Sequence, residues 1–232
     1  MDARERILAA AAELLTEANG EPVSTRAICA RADVGPPTLY HHFGDKDGLF
    51  DAVVAQRFEE FLAAARAEPA TGDPVLDLRR GWDFQLDFGR RNPAFYVLMY
   101  AQPKAGRTPK AAEQARADLV ALLQDVAGAG RLRGEVDLAA DTIEAALVGA
   151  TLKVINGAEA VDAPRAATAL RDAVFAALLI TGEPGAESSA PTLARVATQF
   201  TALLARVDHP LTNGEVTLLN EWVARLTAAS DD

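Results

Sequence analysis

The chain has little of what disulfide-stapled, membrane-anchored or highly charged proteins depend on. A single cysteine in 232 residues, Cys29, excludes a disulfide framework and any cysteine-based metal site, and it fits a reducing compartment. The longest apolar run, Ala173 to Ile180, is eight residues, far short of the roughly 18 needed to span a bilayer. Positive charge is in deficit: 23 Lys+Arg against 33 Asp+Glu leave a formal charge of −10. An overall basic coat that would hold nucleic acid or anionic lipid indiscriminately is therefore excluded, although a local patch is not. Lysine supplies only four of the basic residues, at positions 46, 104, 110 and 153. The opening MDARERILAAAAELL is charged from its second residue and already helical in period, unlike a secretory signal. Together these features lead to the expectation of a cytoplasmic protein without a membrane partner.

Catalytic signatures are missing too. There is no P-loop, no G-x-S-x-G, no H-E-x-x-H and no glycine-rich dinucleotide fingerprint. Of three histidines, His41 and His42 are neighbours on a predicted helix and His209 lies in a predicted turn. Adjacent helical positions diverge by about 100° and cannot chelate one ion together. No enzyme activity, cofactor or metal site is expected.

What the sequence does hold is helical periodicity. Half the residues are hydrophobic and 24% are charged, the composition of a globular chain long enough for one large domain or two small ones. Ile7, Ala10, Ala11, Leu14, Leu15 and Ala18 form one helical face, closed by Asn19-Gly20. Ser24 caps a short helix from Thr25 to about Arg31, and Pro36 opens another that ends near His42. Asp45 caps a longer helix carrying the stripe Phe50, Val53, Val54, Phe58, Phe61 and Leu62. The Pro/Gly-rich stretch Glu68 to Pro74 marks a boundary. Helices are predicted beyond it at about 74–91, 93–101, 109–129, 138–157 and 164–181. A Gly/Pro/Ser-rich linker, Gly182 to Pro191, precedes two more at about 191–207 and 214–228. The predicted class is all-α: a domain over 1–48, a connecting helix over 49–68, and a helical domain over 74–232.

Residues 22–46, PVSTRAICARADVGPPTLYHHFGDK, carry the functional signal. Two short helices joined by a turn of about four residues and braced by a preceding amphipathic helix have the layout of a helix-turn-helix. Helices this short are unstable alone, so Ile28, Val34, Leu39 and Phe43 are predicted core, packed under Leu14 and Leu15. Thr38, Tyr40, His41 and His42 then form a polar outer face. The run Pro37-Thr38-Leu39-Tyr40, His42-Phe43, Asp45-Lys46 and Leu49-Phe50, preceded by Val23-Ser24-Thr25-Arg26 and Ile28, resembles the DNA-binding domain of the TetR family of bacterial transcriptional regulators. The close likeness covers about the first 50 residues. Two positions depart from the family pattern: Asp33 stands where a turn glycine is usual, and Cys29 where a smaller residue is.

The resemblance implies phosphate contacts from Thr25, Arg26, Tyr40 and Lys46, and base or sugar contacts from Pro36, Pro37, Thr38 and His41. His42 is shared between DNA contact and helix packing. Residues 1–50 carry five basic and eight acidic side chains, yet within 22–46 Arg26, Arg31 and Lys46 outweigh Asp33 and Asp45 by one charge. Few phosphates can be neutralised per protomer, so binding is expected to need a homodimer on a palindromic duplex and to depend weakly on salt.

For the remainder the resemblance implies a ligand-sensing and dimerisation domain, and hence a repressor released by a small effector. Trp82, Phe84, Phe88, Phe95, Tyr96 and Tyr100 cluster within 19 residues. With Gln85 and Met99 among them they read either as core or as an apolar pocket for a hydrophobic molecule; Trp82, Gln85, Phe88, Tyr96, Met99 and Tyr100 are the candidate ligand contacts. The small-residue faces Ala145, Ala146, Gly149, Ala150 and Ala169, Ala173, Ala176, Ala177 correspond to the family's dimerising helix pair. A helical adaptor that binds protein partners alone would also explain the acidity and the helices, but not residues 22–46.

Overall fold

A computed structural model describes residues 2–18, 21–101, 107–157, 162–180 and 193–228. Among these, the elements of regular structure are helices, with an isolated bridge pairing Leu132 and Leu179. The helices are α1 (Ala3–Glu17), α2 (Thr25–Ala32), α3 (Pro36–Phe43), α4 (Lys46–Arg66), α5 (Pro74–Arg91), α6 (Pro93–Tyr100), α7 (Lys110–Gly128), α8 (Val136–Asn156), α9 (Ala163–Leu178), α10 (Leu193–Leu204) and α11 (Asn213–Ala228). The predicted all-α class is thus observed, with boundaries close to those set by proline, glycine and capping residues. Asn19-Gly20 and the linker Gly182 to Pro191 lie outside the described residues.

Local chemistry explains the helix starts. Asp2 and Glu5 form a reciprocal capping box: Glu5 N–H donates to Asp2 Oδ1 and Asp2 N–H to Glu5 Oε2, both at 2.8 Å. Ser24 Oγ accepts from Ala27 N–H at 3.1 Å to start α2. Asp45 Oδ1 accepts from Gly48 N–H at 2.6 Å to start α4. Pro36 at the first position of α3 needs no donor of its own.

The chain divides into two compact units. The first comprises residues 1–69, 83–116 and 148–163; the second comprises 70–82, 117–147 and 164–232. The first segment ends at Pro69, inside the predicted boundary stretch, but the same unit resumes at Asp83 and takes in the second half of α5 and all of α6. Helices α1–α3 therefore belong to one packed body with α4, α6 and Phe84 and Phe88 of α5.

The centre of that body is a chain of rings. Phe58 of α4 meets Phe88 of α5 edge-on with centroids 5.1 Å apart, and Phe61 lies 4.5 Å from Phe84 and 5.2 Å from Phe88. Phe88 continues to Tyr96 at 6.4 Å and Tyr96 to Tyr100 at 4.8 Å. A methyl group at Gly89 would stand 2.2 Å from Thr151 Cγ2, so glycine lets α5 and α8 approach closely. Arg57 Nε donates to the Asn92 carbonyl oxygen Oδ1 at 2.8 Å, and buried Asn92 in turn donates to Phe88 O at 3.1 Å.

The second unit has its own core, in which Trp82 sits edge-on to Phe175 at 5.9 Å among Leu78, Leu123, Leu132 and Ile143. Arg79 lies over the Phe175 ring and pairs with Asp172 at 2.9 Å. Its chain crossing is tied by Arg133 N–H to Leu178 O at 2.7 Å and Ile180 N–H to Arg131 O at 2.9 Å.

Candidate nucleic-acid interface

Helix α3 has eight residues and cannot stand alone, so its orientation is set by what it buries. Leu39 is fully buried in the cluster formed with Ile28 of α2, Ile7 and Ala11 of α1 and Leu49 of α4. Val34 and Phe43, predicted as core, are half-buried against that cluster, as is Leu14. Phe43 is left accessible to the Arg4 guanidinium, 5.6 Å from its ring centroid. With Leu39 pointing inward, Pro36, Pro37, Tyr40, His41 and His42 are exposed and Thr38 is half-buried. His42 shares its surroundings with His41 and Phe43, whose rings lie 5.5 and 6.2 Å away.

The turn that aims α3 uses a left-handed residue. Asp33 has φ 51° and ψ 55°, and its N–H and that of Val34 close back on Ala30 and Cys29 carbonyls. An aspartate tolerates this conformation better than most residues, which is how the chain dispenses with the usual glycine. At the next junction a Cβ on Gly48 would fall 2.2 Å from the Phe43 carbonyl oxygen, so only glycine lets the first turn of α4 pass under the end of α3. Cys29 is buried, and desolvation pushes its thiol above the ordinary range.

At the start of α2, Thr25 is half-buried and Arg26 exposed, and at the start of α4 Lys46 is exposed over the Phe50 ring at 5.3 Å. Arg26 and Lys46 form no ion pair among the described residues. Arg31 differs: it donates to both oxygens of Glu17 at 3.1 and 3.0 Å and to Glu13 at 3.2 Å. The charge count that placed Arg31 on the binding face is therefore corrected, because two α1 carboxylates already occupy it. Arg6 Nε also ties α1 to α2, donating to Ala32 O at 3.1 Å. Neither link was legible beforehand, since each joins residues at least 14 apart whose facing depends on the helix crossing.

The candidate ligand residues separate into two environments. Phe88, Tyr96 and Met99 are buried in the first unit, with Gln85 and Tyr100 half-buried there, while Trp82 is buried in the second. Two polar atoms of α5, Trp82 Nε1 and Gln85 Oε1, are buried with no hydrogen-bond partner among the described residues. A cleft of about 980 Å³ in the first unit, for which the sequence carries no signal, is lined by Leu15 of α1, Lys46, Phe50 and Val54 of α4, and Phe95 and Leu98 of α6. None of the six candidate ligand residues lines it. Of the predicted dimerising residues, Ala145, Gly149, Ala169, Ala173, Ala176 and Ala177 are exposed and Ala146 is half-buried. Ala150 faces inward and is buried, so it does not contribute to an exposed helix face.

Residues 7–53 match the family model described as "Bacterial regulatory proteins, tetR family". Over 74 residues the chain is 42% identical to the HTH-type transcriptional regulator UidR of Escherichia coli (strain K12), covering 32% of this chain and 37% of that protein. The match thus spans little more than a third of the curated relative's length. A crystal structure of a tetR family transcription regulator from Shewanella sp. PV-4 is similar with a TM-score of 0.60 and 21% identity, over 78% of this chain and 100% of that one. Full-length tylp, a tetr regulator from Streptomyces fradiae, is similar over 96% of this chain and 90% of its own, with a TM-score of 0.54 and 20% identity. At these identities the structural likeness speaks for the fold.

Proposed function

Because residues 7–53 match the family model of the tetR bacterial regulatory proteins, we infer a DNA-binding transcriptional regulator of that family. Its finer assignment is a repressor that binds a palindromic operator as a homodimer and is released by a small, largely apolar effector. The observation that carries the DNA-binding assignment is α3, which buries Leu39 completely while Pro36, Pro37, Tyr40 and His41 stay exposed. A short helix presented in this way has the form that enters a major groove. Residues 1–48 are the DNA-binding part, 49–68 the connecting helix and 74–232 the sensing and dimerising part. Arg26, Lys46, Thr25 and Tyr40 contact phosphates; Pro36, Pro37, Thr38, His41 and His42 contact bases or sugars.

Selection of random duplexes with the purified protein tests this. A palindrome with half-sites about one helical turn apart or more is the expected product. Failure to enrich any motif, with Thr38 and Tyr40 replaceable at no cost, favours the helical adaptor.

The packing of the first unit supports a direct regulatory route. Phe58 and Phe61 of α4 are stacked on Phe84 and Phe88 of α5, so a molecule that moves these rings moves α4, and α4 adjoins α3. The unpartnered Gln85 Oε1 in the same unit supports a weakly polar ligand that offers it a donor. The ligand's differential affinity for the DNA-competent arrangement sets the fold-change in DNA affinity, typically about 1–3 kcal/mol for such couplings. Native mass spectrometry of freshly purified protein followed by a thermal-shift library identifies it. A stabilising ligand that leaves DNA affinity unchanged is not the effector.

A further inference from the structure

Helix α10 is inside out. In a surface helix the larger apolar side chains face the protein and the small or polar ones face water. Here the fully buried residues are Ala197 and Ala202, with Leu204 half-buried, and Thr198 and Gln199 donate to Gly134 O at 2.9 Å and Gly128 O at 3.3 Å. The outward residues are Val196, Phe200 and Leu203, 44–46% exposed, with Val207 just beyond the helix at 60%. Their spacing of four, three and four puts them on one face. Helix α11 half-buries Val216, Leu219 and Val223, yet leaves Leu218 43% and Trp222 52% exposed. Leu211 in the connecting turn adds a further exposed side chain at 36%.

Of the eleven large hydrophobic residues exposed among the described positions, seven belong to this hairpin. Leu203 also borders the end of α7, where a Cβ added to Gly128 would stand 3.8 Å from its Cδ2, yet it and the other six side chains stay 36–60% exposed.

We propose that the α10–α11 hairpin is a self-association surface, covered by the same hairpin of a second copy of this chain. Three observations select that occupant. The seven side chains leave on the order of 600 Å² of apolar surface in water, the upper end of what a typical monomer exposes in one patch. Two such faces together bury about 1,200 Å², the lower limit for a stable specific interface. The stripe of Val196, Phe200, Leu203 and Val207 is uncharged, so nothing in it repels its own image. Charge at the edge is self-complementary: Glu221 and Arg225 flank Trp222, are exposed, and form no ion pair among the described residues. In a two-fold contact each residue meets the other copy's counterpart reciprocally, so antiparallel α11 helices crossing near Trp222 set Glu221 of each copy against Arg225 of the other. This surface is additional to the α8 and α9 small-residue faces and rests on the homodimer assigned above.

Trp222 reports on the contact directly, because the only other tryptophan, Trp82, is buried. In a dilution series of the full chain, tryptophan emission should shift to the blue with rising concentration, at the midpoint that sedimentation velocity gives for dimer formation. Phe200→Glu should abolish the shift and raise the dimer dissociation constant at least tenfold, with helicity by circular dichroism unchanged because the side chain is already half in water. Glu221→Arg and Arg225→Glu should each weaken association, and the double exchange should restore it. Ala176→Glu on α9 separates the two faces. If it dissolves the dimer while Phe200→Glu and the charge exchanges do nothing, the hairpin proposal is overturned and the α8–α9 assignment stands. If Trp222 emission stays that of a hydrated indole at every concentration, the proposal is likewise overturned. Selection of duplexes by the same samples reads DNA recognition separately.

Discussion

Arg31 at the end of α2 grips Glu17 of α1 with both guanidinium nitrogens, at 3.1 and 3.0 Å, and reaches Glu13 at 3.2 Å. A bidentate fork of this kind is geometrically specific, and it commits the arginine to joining two helices. The consequence for DNA binding is a sorting of three nearby cations into one structural and two available.

Salt dependence of DNA affinity reads that sorting. Arg26→Ala and Lys46→Ala should each weaken binding across sequences and reduce the slope of log K against log salt by about one. Arg31→Gln should leave the slope unchanged. An equal loss of slope for Arg31→Gln would make it a phosphate contact after all.

The same pair gives a pH dependence with a definite sign. Arg31 holds the Glu17 carboxyl below its ordinary value of 4.5 through the side-chain hydrogen bond. A depressed carboxyl contributes stability that is present above its unfolded value and lost as pH falls through the lowered folded value. Urea midpoints should therefore decline on acidification below about pH 4.5. Arg31→Gln should flatten that decline, since the unpaired Glu17 then titrates alike in both states.

At the turn and the α3–α4 junction two substitutions should have opposite effects. Gly48→Ala drives a methyl group against the Phe43 carbonyl oxygen and should cost about 2 kcal/mol or more, as overpacking against backbone does. Asp33→Gly relieves a left-handed non-glycine residue and should gain about 0.5 kcal/mol. Denaturant unfolding measures both, and a destabilising Asp33→Gly would show that the aspartate side chain supports the turn in a further way.

Leu39 and Tyr40 are adjacent and should separate folding from recognition. Leu39 is fully buried, and Leu39→Ala should cost about 2–5 kcal/mol of stability. Tyr40 is 46% exposed, and Tyr40→Phe should leave the unfolding midpoint in place while weakening duplex binding. Unfolding curves and gel-shift titrations of the same preparations give the two readouts.

Cys29 should behave as a packing residue. Burial raises its thiol pKa, which lowers the thiolate fraction at neutral pH, so alkylation of the native protein should be much slower than that of the urea-unfolded chain. Comparable rates would mean that α2 opens readily.

Much of the first unit was legible from the chain because the signals are local. Ser24, Pro36 and Asp45 start helices within a few residues of themselves, and the Ala32-Asp33-Val34-Gly35 turn declares itself by composition. The inward set Ile28 and Leu39 and the outward set Pro36, Tyr40 and His41 follow from a period of 3.6. Val34 and Phe43 were less legible: periodicity gives a direction, whereas the degree of burial depends on how closely neighbouring helices come.

Other features were settled only by the folded chain. Which acids meet Arg31 depends on the crossing of α1 and α2, and the aromatic run of α5 and α6 reads identically as pocket lining or as core until its packing is seen. The return of the chain at Asp83 into the body that holds α1–α3 crosses a boundary that composition alone would have kept. Amphipathicity shows that α10 has an apolar face, yet not that the face is turned to water, because periodicity carries a direction without an origin. The scarcity of cysteine, of long apolar runs and of positive charge shaped the expectations drawn from the sequence, through properties summed over residues. Which few cations remain available, and which apolar face remains uncovered, are matters of which residues meet, and tertiary structure alone decides that.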